Sequence, residues 1–336
     1  MTATPVPNLK EAAALLARAT DVTLLGHVRP DADALGSALA LGRALRLRGA
    51  EVRVSVGEPE EMPETLRSLD VGGLYVPASE LPESEGLLVA LDTPTPGRLG
   101  KLAPRVDAVR AAGGDVLVID HHASNVFYGT HHVVDDTAEA TAVLVFALLE
   151  ELGTEIDEPI ARCLYAGLVT DTSGFRRARP STHQMAAKLL EAGVDPDKVV
   201  REIVDDHPFA WLPMLSDVLA GARLEPDEAR GFGLAHAVVT LDAARSVRAE
   251  EVEAVVDVVR SVREAGVAVV LKEAAPIGPR RRWTVSLRSA GGVDVSAAAG
   301  ELGGGGHRQA AGCTAEGTAD EVLGKIREAL SRAPLL

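Results

Sequence analysis

Apolar and polar residues follow two alternating patterns over the first two hundred positions. Asp21–Gly26 (DVTLLG), Leu87–Leu91 and Val116–Ile119 are short, nearly continuous apolar runs, and Glu51–Val56 is a further strand-like segment. Runs of this length predict strands buried on both faces. Between them, apolar residues recur at helical spacing through Ala34–Arg48 and Leu99–Ala111. Strands that alternate with helices predict a mostly parallel sheet covered on both sides. Ala138–Leu152, Pro159–Val169 and Ser181–Ala192 extend this into a helical run.

The pattern changes after Gly193. Asp195–Ala222 reads as one or two helices interrupted by Pro208 and Pro213. A second alternating unit follows: strand Phe232–Thr240, helix Glu250–Glu264, strands Val267–Lys272 and Trp283–Arg288, a helix near Val295–Leu302, a glycine run ending at His307, and a last helix from about Ala319. No internal repeat is evident. With 336 residues the chain is long enough for two ordinary domains. The expected architecture is α/β: a parallel-sheet domain over 1–194, a helical connector over 195–225, and a smaller α/β domain over 226–336.

The chemistry gathers at strand ends. His27, Asp31 and Asp33 follow the first strand in G-H-V-R-P-D-A-D, Asp92 follows the third in L-L-V-A-L-D-T, and Asp120-His121-His122 follow the fourth in V-L-V-I-D-H-H. Asp171 closes the apolar helix in G-L-V-T-D-T. Open α/β sheets bind ligands outside the carboxyl ends of their strands, so separate segments deliver these groups to one edge. Taken singly, Asp33 has the ordinary role of a helix N-cap and Asp92 that of a turn residue before Pro94. Caps give no reason for carboxylates and imidazoles to accumulate together. Such a cluster is unfavourable without cations to neutralise it, and a mixed Asp/His set without thiolates suits Mn²⁺ and similar ions. Two such ions can clamp and polarise a phosphoryl group and activate water. His131-His132 looks similar but precedes an apolar pair, and reads as surface or strand-start residues.

These motifs resemble those of the DHH phosphoesterase superfamily. The segments Val285-Ser286-Leu287-Arg288-Ser289 and Gly303–Gly306 with His307-Arg308-Gln309-Ala310-Ala311-Gly312 resemble its type 1 DHH-associated domain. The resemblance implies that His27 and Asp31 hold one metal, that Asp33, His121 and Asp171 hold the other, and that Asp92 bridges them. It further implies that His122 contacts the substrate phosphate and that Asp120 orients a neighbouring imidazole. Glycines let backbone amides approach an anion closely. Arg288, Ser289, Gly304, Gly305, Gly306 and His307 are therefore the expected substrate contacts, holding a nucleotide's terminal phosphate or base, with Arg176 in S-G-F-R-R as a further phosphate contact.

Composition narrows the substrate. The net charge of −15 disfavours long duplex DNA, whose binding comes from neutralising many phosphates, and tolerates a short anion. The two-domain form resembles the bifunctional nano-RNase and pAp phosphatase family. The expected activity is therefore Mn²⁺-dependent degradation of short oligoribonucleotides to mononucleotides, with dephosphorylation of 3′-phosphoadenosine-5′-phosphate (pAp). Cleavage of cyclic di-AMP or linear pApA, hydrolysis of pyrophosphate or polyphosphate, and non-catalytic nucleotide sensing are the alternatives. Cys163 and Cys313 lack metal-ligand spacing and read as core thiols. No signal segment or membrane span is expected, which places the protein in the cytoplasm. A homodimer is permitted but not indicated.

Overall fold

The structure is a computed structural model that describes residues 8–83, 86–275 and 279–336. The chain divides into two compact units, Met1–Asp206 and His207–Leu336.

In the first unit, helix α1 (Leu9–Arg18) precedes strand β1 (Asp21–Gly26), α2 (Ala32–Leu47), β2 (Glu51–Val56), β3 (Leu87–Leu91), α3 (Ala103–Ala111), β4 (Asp115–Asp120) and β5 (His131–Val134). Helices α4 (Thr141–Glu151), α5 (Glu158–Asp171), α6 (Pro180–Glu191) and α7 (Pro196–Val200) follow. The described strands form a parallel sheet in the order β2-β1-β3-β4-β5. Period-two alternation splits their side chains. Val22, Leu24, Val89, Leu91, Leu117 and Ile119 join the core under α2, α4 and α5, whereas Leu25, Leu88, Ala90, Val116 and Val118 pack on Leu102, Val106 and Val109 near α3. The strand order reverses between β1 and β3, and that reversal opens a crevice at their carboxyl ends.

Helices α2 and α5 approach closely because both present glycine at the crossing. A Cβ on Gly36 would sit 2.5 Å from the Cys163 carbonyl oxygen, and one on Gly167 would sit 2.6 Å from Asp33 Oδ1. This crossing presses Asp33 against the site.

The second unit holds α8 (Trp211–Ala220), β6 (Arg223–Glu225), β7 (Leu234–Val239), α9 (Ala249–Val259), β8 (Val267–Ala274), β9 (Arg282–Ser289), α10 (Val295–Glu301), β10 (Gly305–His307), β11 (Ala310–Glu316) and α11 (Ala319–Arg332). Its sheet runs β10-β11-β9-β8-β7-β6; β7 and β8 are parallel and the other pairs antiparallel. Val269, Leu271, Trp283, Val285 and Leu287 pack with Ala298 and Ala299 of α10 and Val322 and Ile326 of α11. Val270, Ala235 and Ala237 pack on Val255 and Val256 of α9 and on Met214 and Val218 of α8.

The α/β class and the paired units agree with the sequence pattern, with local differences. The expected helix over Leu99–Ala111 begins as a tighter 3₁₀ segment, Pro96–Leu102, broken at Gly100 with φ of 59°. Helix α9 stops five residues early. The glycine run pairs with β11 as a strand, a feature its side chains are too small to signal. Cys163 and Cys313 are buried free thiols. No helix among the described residues is long and apolar enough to cross a membrane.

Candidate metal centre

Each acidic or imidazole group is delivered by a separate strand or helix end. His27 leaves β1; its Nδ1 donates to the Val28 carbonyl at 2.9 Å, which directs Nε2 toward the carboxylates. Asp31 caps α2 with one oxygen: Oδ1 accepts from Asp33 N at 3.1 Å and Ala34 N at 3.0 Å. Its other oxygen lies 3.6 Å from His27 Nε2. Asp31, rather than Asp33, is therefore the N-cap. Asp33 reaches the N-terminus of α4 instead, accepting from Thr141 N at 2.6 Å and Ala142 N at 2.9 Å.

Asp92 is central. It ends β3 in a left-handed conformation, φ 54°, which turns its carboxylate back across the strand ends. Oδ2 lies 3.4 Å from His27 Nε2 and Oδ1 lies 3.4 Å from His121 Nε2. Thr141 Oγ1 donates to Oδ1 at 2.8 Å. His121 Nδ1 donates to the Ala138 carbonyl at 3.2 Å; its Nε2 lies 3.2 Å from Asp171 Oδ2 and 4.0 Å from Asp33 Oδ2. Three ligand clusters share Asp92: one with His27 and Asp31, one with Asp33 and His121, and one with Asp120 and His122. His122 takes a different partner, its Nδ1 donating to Asp120 Oδ1 at 2.8 Å.

Protons reveal the strain of gathering these groups. Burial opposes a charged His27, yet Asp31 and Asp92 hold its pKa up at about 10. Burial also opposes a charged His121, but Asp171 and Asp92 raise it well above the ordinary value. Burial, with Asp171 and Asp92 nearby, drives Asp33 upward, and burial raises Asp171. Asp92 shows the opposite shift: burial would raise it, but three imidazoles pull it well down. These shifts are those of a cluster whose carboxylates favour positive charge, which divalent ions would supply compactly. The donor set fits such ions, since two imidazoles have Nδ1 tied to carbonyls and Nε2 aimed at carboxylate oxygens, an arrangement that fixes ligand orientation.

The eight residues expected from the sequence thus converge in the first unit. Arg176 lies exposed on the loop after α5, beyond a left-handed stretch through Ser173–Phe175. In the second unit, Arg288 and His307 share one register row through Ala310, so both side chains rise from one face of the sheet. Gly305 lies on that face too, and a Cβ there would meet nothing within 4 Å. Gly304 and Gly306 have a packing reason, since a Cβ would meet the Gly312 carbonyl oxygen at 2.1 Å or the Ala310 carbonyl oxygen at 2.5 Å. Ser289 follows the opposite alternation, and its Oγ accepts from Gly291 N at 3.3 Å. His131 and His132 open β5 away from the cluster, where His131 meets Glu11 and Asp115, both at 3.1 Å.

Arg98 was not singled out from the sequence. Its side chain is exposed, but surrounding protein lowers its pKa against the pull of Asp31, Asp92 and Asp120. Its position after a turn, in P-T-P-G-R, carries no periodic signal.

The DHH family N-terminal domain model matches residues 21–168, and the DHHA1 domain model matches residues 233–333. The bifunctional oligoribonuclease and PAP phosphatase NrnA of Thermus thermophilus is 34% identical over 321 residues, covering 92% of this chain and 90% of that protein. The chain belongs to the DHH family. As a DHH phosphoesterase, it is a hydrolase with an acidic and imidazole cluster suited to metal. The cyclic-di-AMP phosphodiesterase PdeA of Listeria monocytogenes is 26% identical, over 87% of this chain and 44% of that protein. The crystal structure of an exopolyphosphatase-related protein from Bacteroides fragilis shares the fold, with a TM-score of 0.84 at 24% identity and 98% coverage of both chains.

Proposed function

We propose that this DHH phosphoesterase uses two divalent ions, with Mn²⁺ the working metal, to degrade short oligoribonucleotides to mononucleotides and to remove phosphate from pAp. The observation that carries the hydrolytic reading is Asp92, which turns one oxygen to His27 and the other to His121. His27 and Asp31 would hold one ion, Asp33, His121 and Asp171 the second, and Asp92 both. The ions would polarise a phosphoryl oxygen and make water nucleophilic near neutral pH.

The chain's own residues prepare the rest. Thr141 fixes the rotation of the Asp92 carboxylate, and the two carbonyl-bound imidazoles hold their Nε2 atoms in place. Asp120 Oδ1 accepts the hydrogen bond from His122 Nδ1 and orients the ring; His122 would contact a phosphoryl oxygen or the leaving oxygen. In the second unit, Arg288 and His307 supply charge-assisted donors for a nucleotide phosphate or base, and Gly305 leaves room for its approach.

The NrnA similarity over nearly the whole chain supports the nucleotide substrates. The acidic balance favours a short one. The test is a time course with Mn²⁺ on end-labelled RNAs of ~2 to ~20 nucleotides, a range that covers short sites and longer single-strand tracks, alongside pAp. Dinucleotides should disappear first; equal rates on the longest species would refute the reading. The PdeA similarity favours cyclic di-AMP or pApA as a second substrate class, and faster turnover of cyclic di-AMP than of the dinucleotide would transfer the assignment to it.

A further inference from the structure

We infer that Asn125 is a positioning residue for the reaction, acting on His122 through Asp120; this rests on the reading of His122 as a substrate contact. Asp120 is fully buried at the end of β4, and Asn125 is 9% exposed. Asn125 Nδ2 donates to Asp120 Oδ2 at 2.6 Å, while Asp120 Oδ1 accepts from His122 Nδ1 at 2.8 Å. The two carboxylate oxygens are thus divided between the amide and the imidazole. A carboxylate held at one oxygen rotates about its Cβ–Cγ bond; one held at both presents a fixed acceptor direction to the ring. That direction fixes the His122 tautomer as Nδ1–H and the ring plane with it.

The amide orientation is determined by its other contact. Asn125 Oδ1 accepts from Phe127 N at 2.7 Å, so the NH₂ side must face Asp120. The backbone is anchored independently: Asn125 N donates to the His122 carbonyl at 3.1 Å, and Val126 N donates to the Pro94 carbonyl at 3.0 Å. The loop therefore has supports of its own, and the Nδ2 donor is the part devoted to Asp120. Sequence position alone hides this role, because Asn125 lies in an ordinary-looking A-S-N-V-F turn.

Asn125→Asp separates the two duties. It keeps an acceptor for Phe127 N and puts a second carboxylate where the donor to Asp120 stood. The variant is therefore assayed at a pH of about 8, where both groups ionise and repulsion breaks the bond. With Mn²⁺ and a ribodinucleotide, kcat should fall at least about tenfold, the scale for losing an orienting partner. KM should stay within about twofold, since binding shared by ground and transition states is untouched, and the Mn²⁺-dependent rise in Tm should be retained. The exchanged pair Asp120→Asn with Asn125→Asp restores a donor facing an acceptor and should recover at least half of the lost kcat on a logarithmic scale. Wild-type kcat in Asn125→Asp would overturn the inference. So would loss of the Mn²⁺ response together with activity, which marks a structural role, or an exchanged pair no better than the single variant. If the wild type does not cleave the dinucleotide, the proposed function fails first. The inference is then read from imidazole ¹H–¹⁵N correlation spectra in Mg²⁺. A single Nδ1–H tautomer for His122 that becomes mixed in Asn125→Asp supports it, and an unchanged tautomer overturns it.

Discussion

Gly167→Ala adds one methyl group at the helix crossing behind the metal centre. The new Cβ would lie 2.6 Å from Asp33 Oδ1, and 3.1 Å from both Asp33 Cα and the Ala142 Cβ. Ordinary non-bonded contacts begin near ~3.5 Å, so relief requires displacement of roughly half an ångström or more. That equals the tolerance of about 0.5 Å within which a working site must be held. Overpacking of this kind costs about 1–3 kcal/mol. Alanine in a helix interior recovers about 1 kcal/mol relative to glycine, leaving a net loss of about 0–2 kcal/mol. The functional effect should exceed the stability effect, because the displaced oxygen belongs to a proposed metal ligand: it anchors Asp33 to α4 through Ala142 N, while the other oxygen faces His121. Thermal unfolding with graded Mn²⁺ reads both at once, through the metal-free Tm and the Mn²⁺-dependent rise. Apparent Mn²⁺ affinity should weaken at least about tenfold, the scale for disturbing a ligand's support. Gly324→Ala in α11 is the control: its Cβ meets nothing within 4 Å, so it should stabilise by about 0.5–1 kcal/mol. If Gly167→Ala were stabilised like the control and kept the wild-type Mn²⁺ response, the steric argument would be wrong.

Three further outcomes follow from the same geometry. Asp92→Asn exchanges one of two metal-facing oxygens for an amide, and should abolish the Mn²⁺-dependent rise in Tm and lower turnover at least about a hundredfold; a retained metal response would remove Asp92 from the bridging role. Arg98 feels the charges of Asp31, Asp92 and Asp120 and so stands beside the cluster as a candidate phosphate contact. Arg98→Ala should raise KM about tenfold with kcat nearly unchanged, the signature of lost uniform binding, and an unaltered KM would place the guanidinium outside the substrate's reach. Glu139 is opposed by burial, yet Arg179 and Thr182 hold its carboxyl down at about 2. A depressed folded pKa stabilises above the unfolded value near 4.5, and that stability is lost as pH falls through this interval toward 2. Undiminished, the shift is worth about 3 kcal/mol; with Arg179 half-exposed and screened, about 1 kcal/mol is expected. Denaturant unfolding of Glu139→Gln should show a shallower acid limb below pH ~5 than the wild type, and coincident limbs would refute the assignment.

The strands that build the site were legible because apolar runs buried on both faces leave a continuous signal, as in Leu87–Leu91. The convergence of the acidic and imidazole residues was legible because most of them follow those runs directly. What stayed hidden depends on small side chains or on contacts distant in sequence. Gly305–His307 and Ala310–Glu316 pair as strands through backbone bonds that glycine and alanine do not advertise. The short helix α1 went unread despite its apolar face. Gly100 divides the expected helix after β3 by adopting a conformation that sequence spacing cannot reveal. The task of Asp33 was also invisible: its bonds to Thr141 and Ala142 join positions more than a hundred residues apart.

The shared carboxylates at Asp31 and Asp33 bear on the genetics of this protein. At each, the same side chain completes a helix N-terminus and faces the metal centre, so removing it injures folding and chemistry together. Asp31→Ala and Asp33→Ala should therefore behave as loss-of-protein alleles, and complementation tests with them would conflate abundance with activity. Asp171 meets His121 with its carboxylate and caps no helix among the described residues, so Asp171→Asn is expected to lose activity while keeping its abundance, and immunoblotting beside the activity assay checks it.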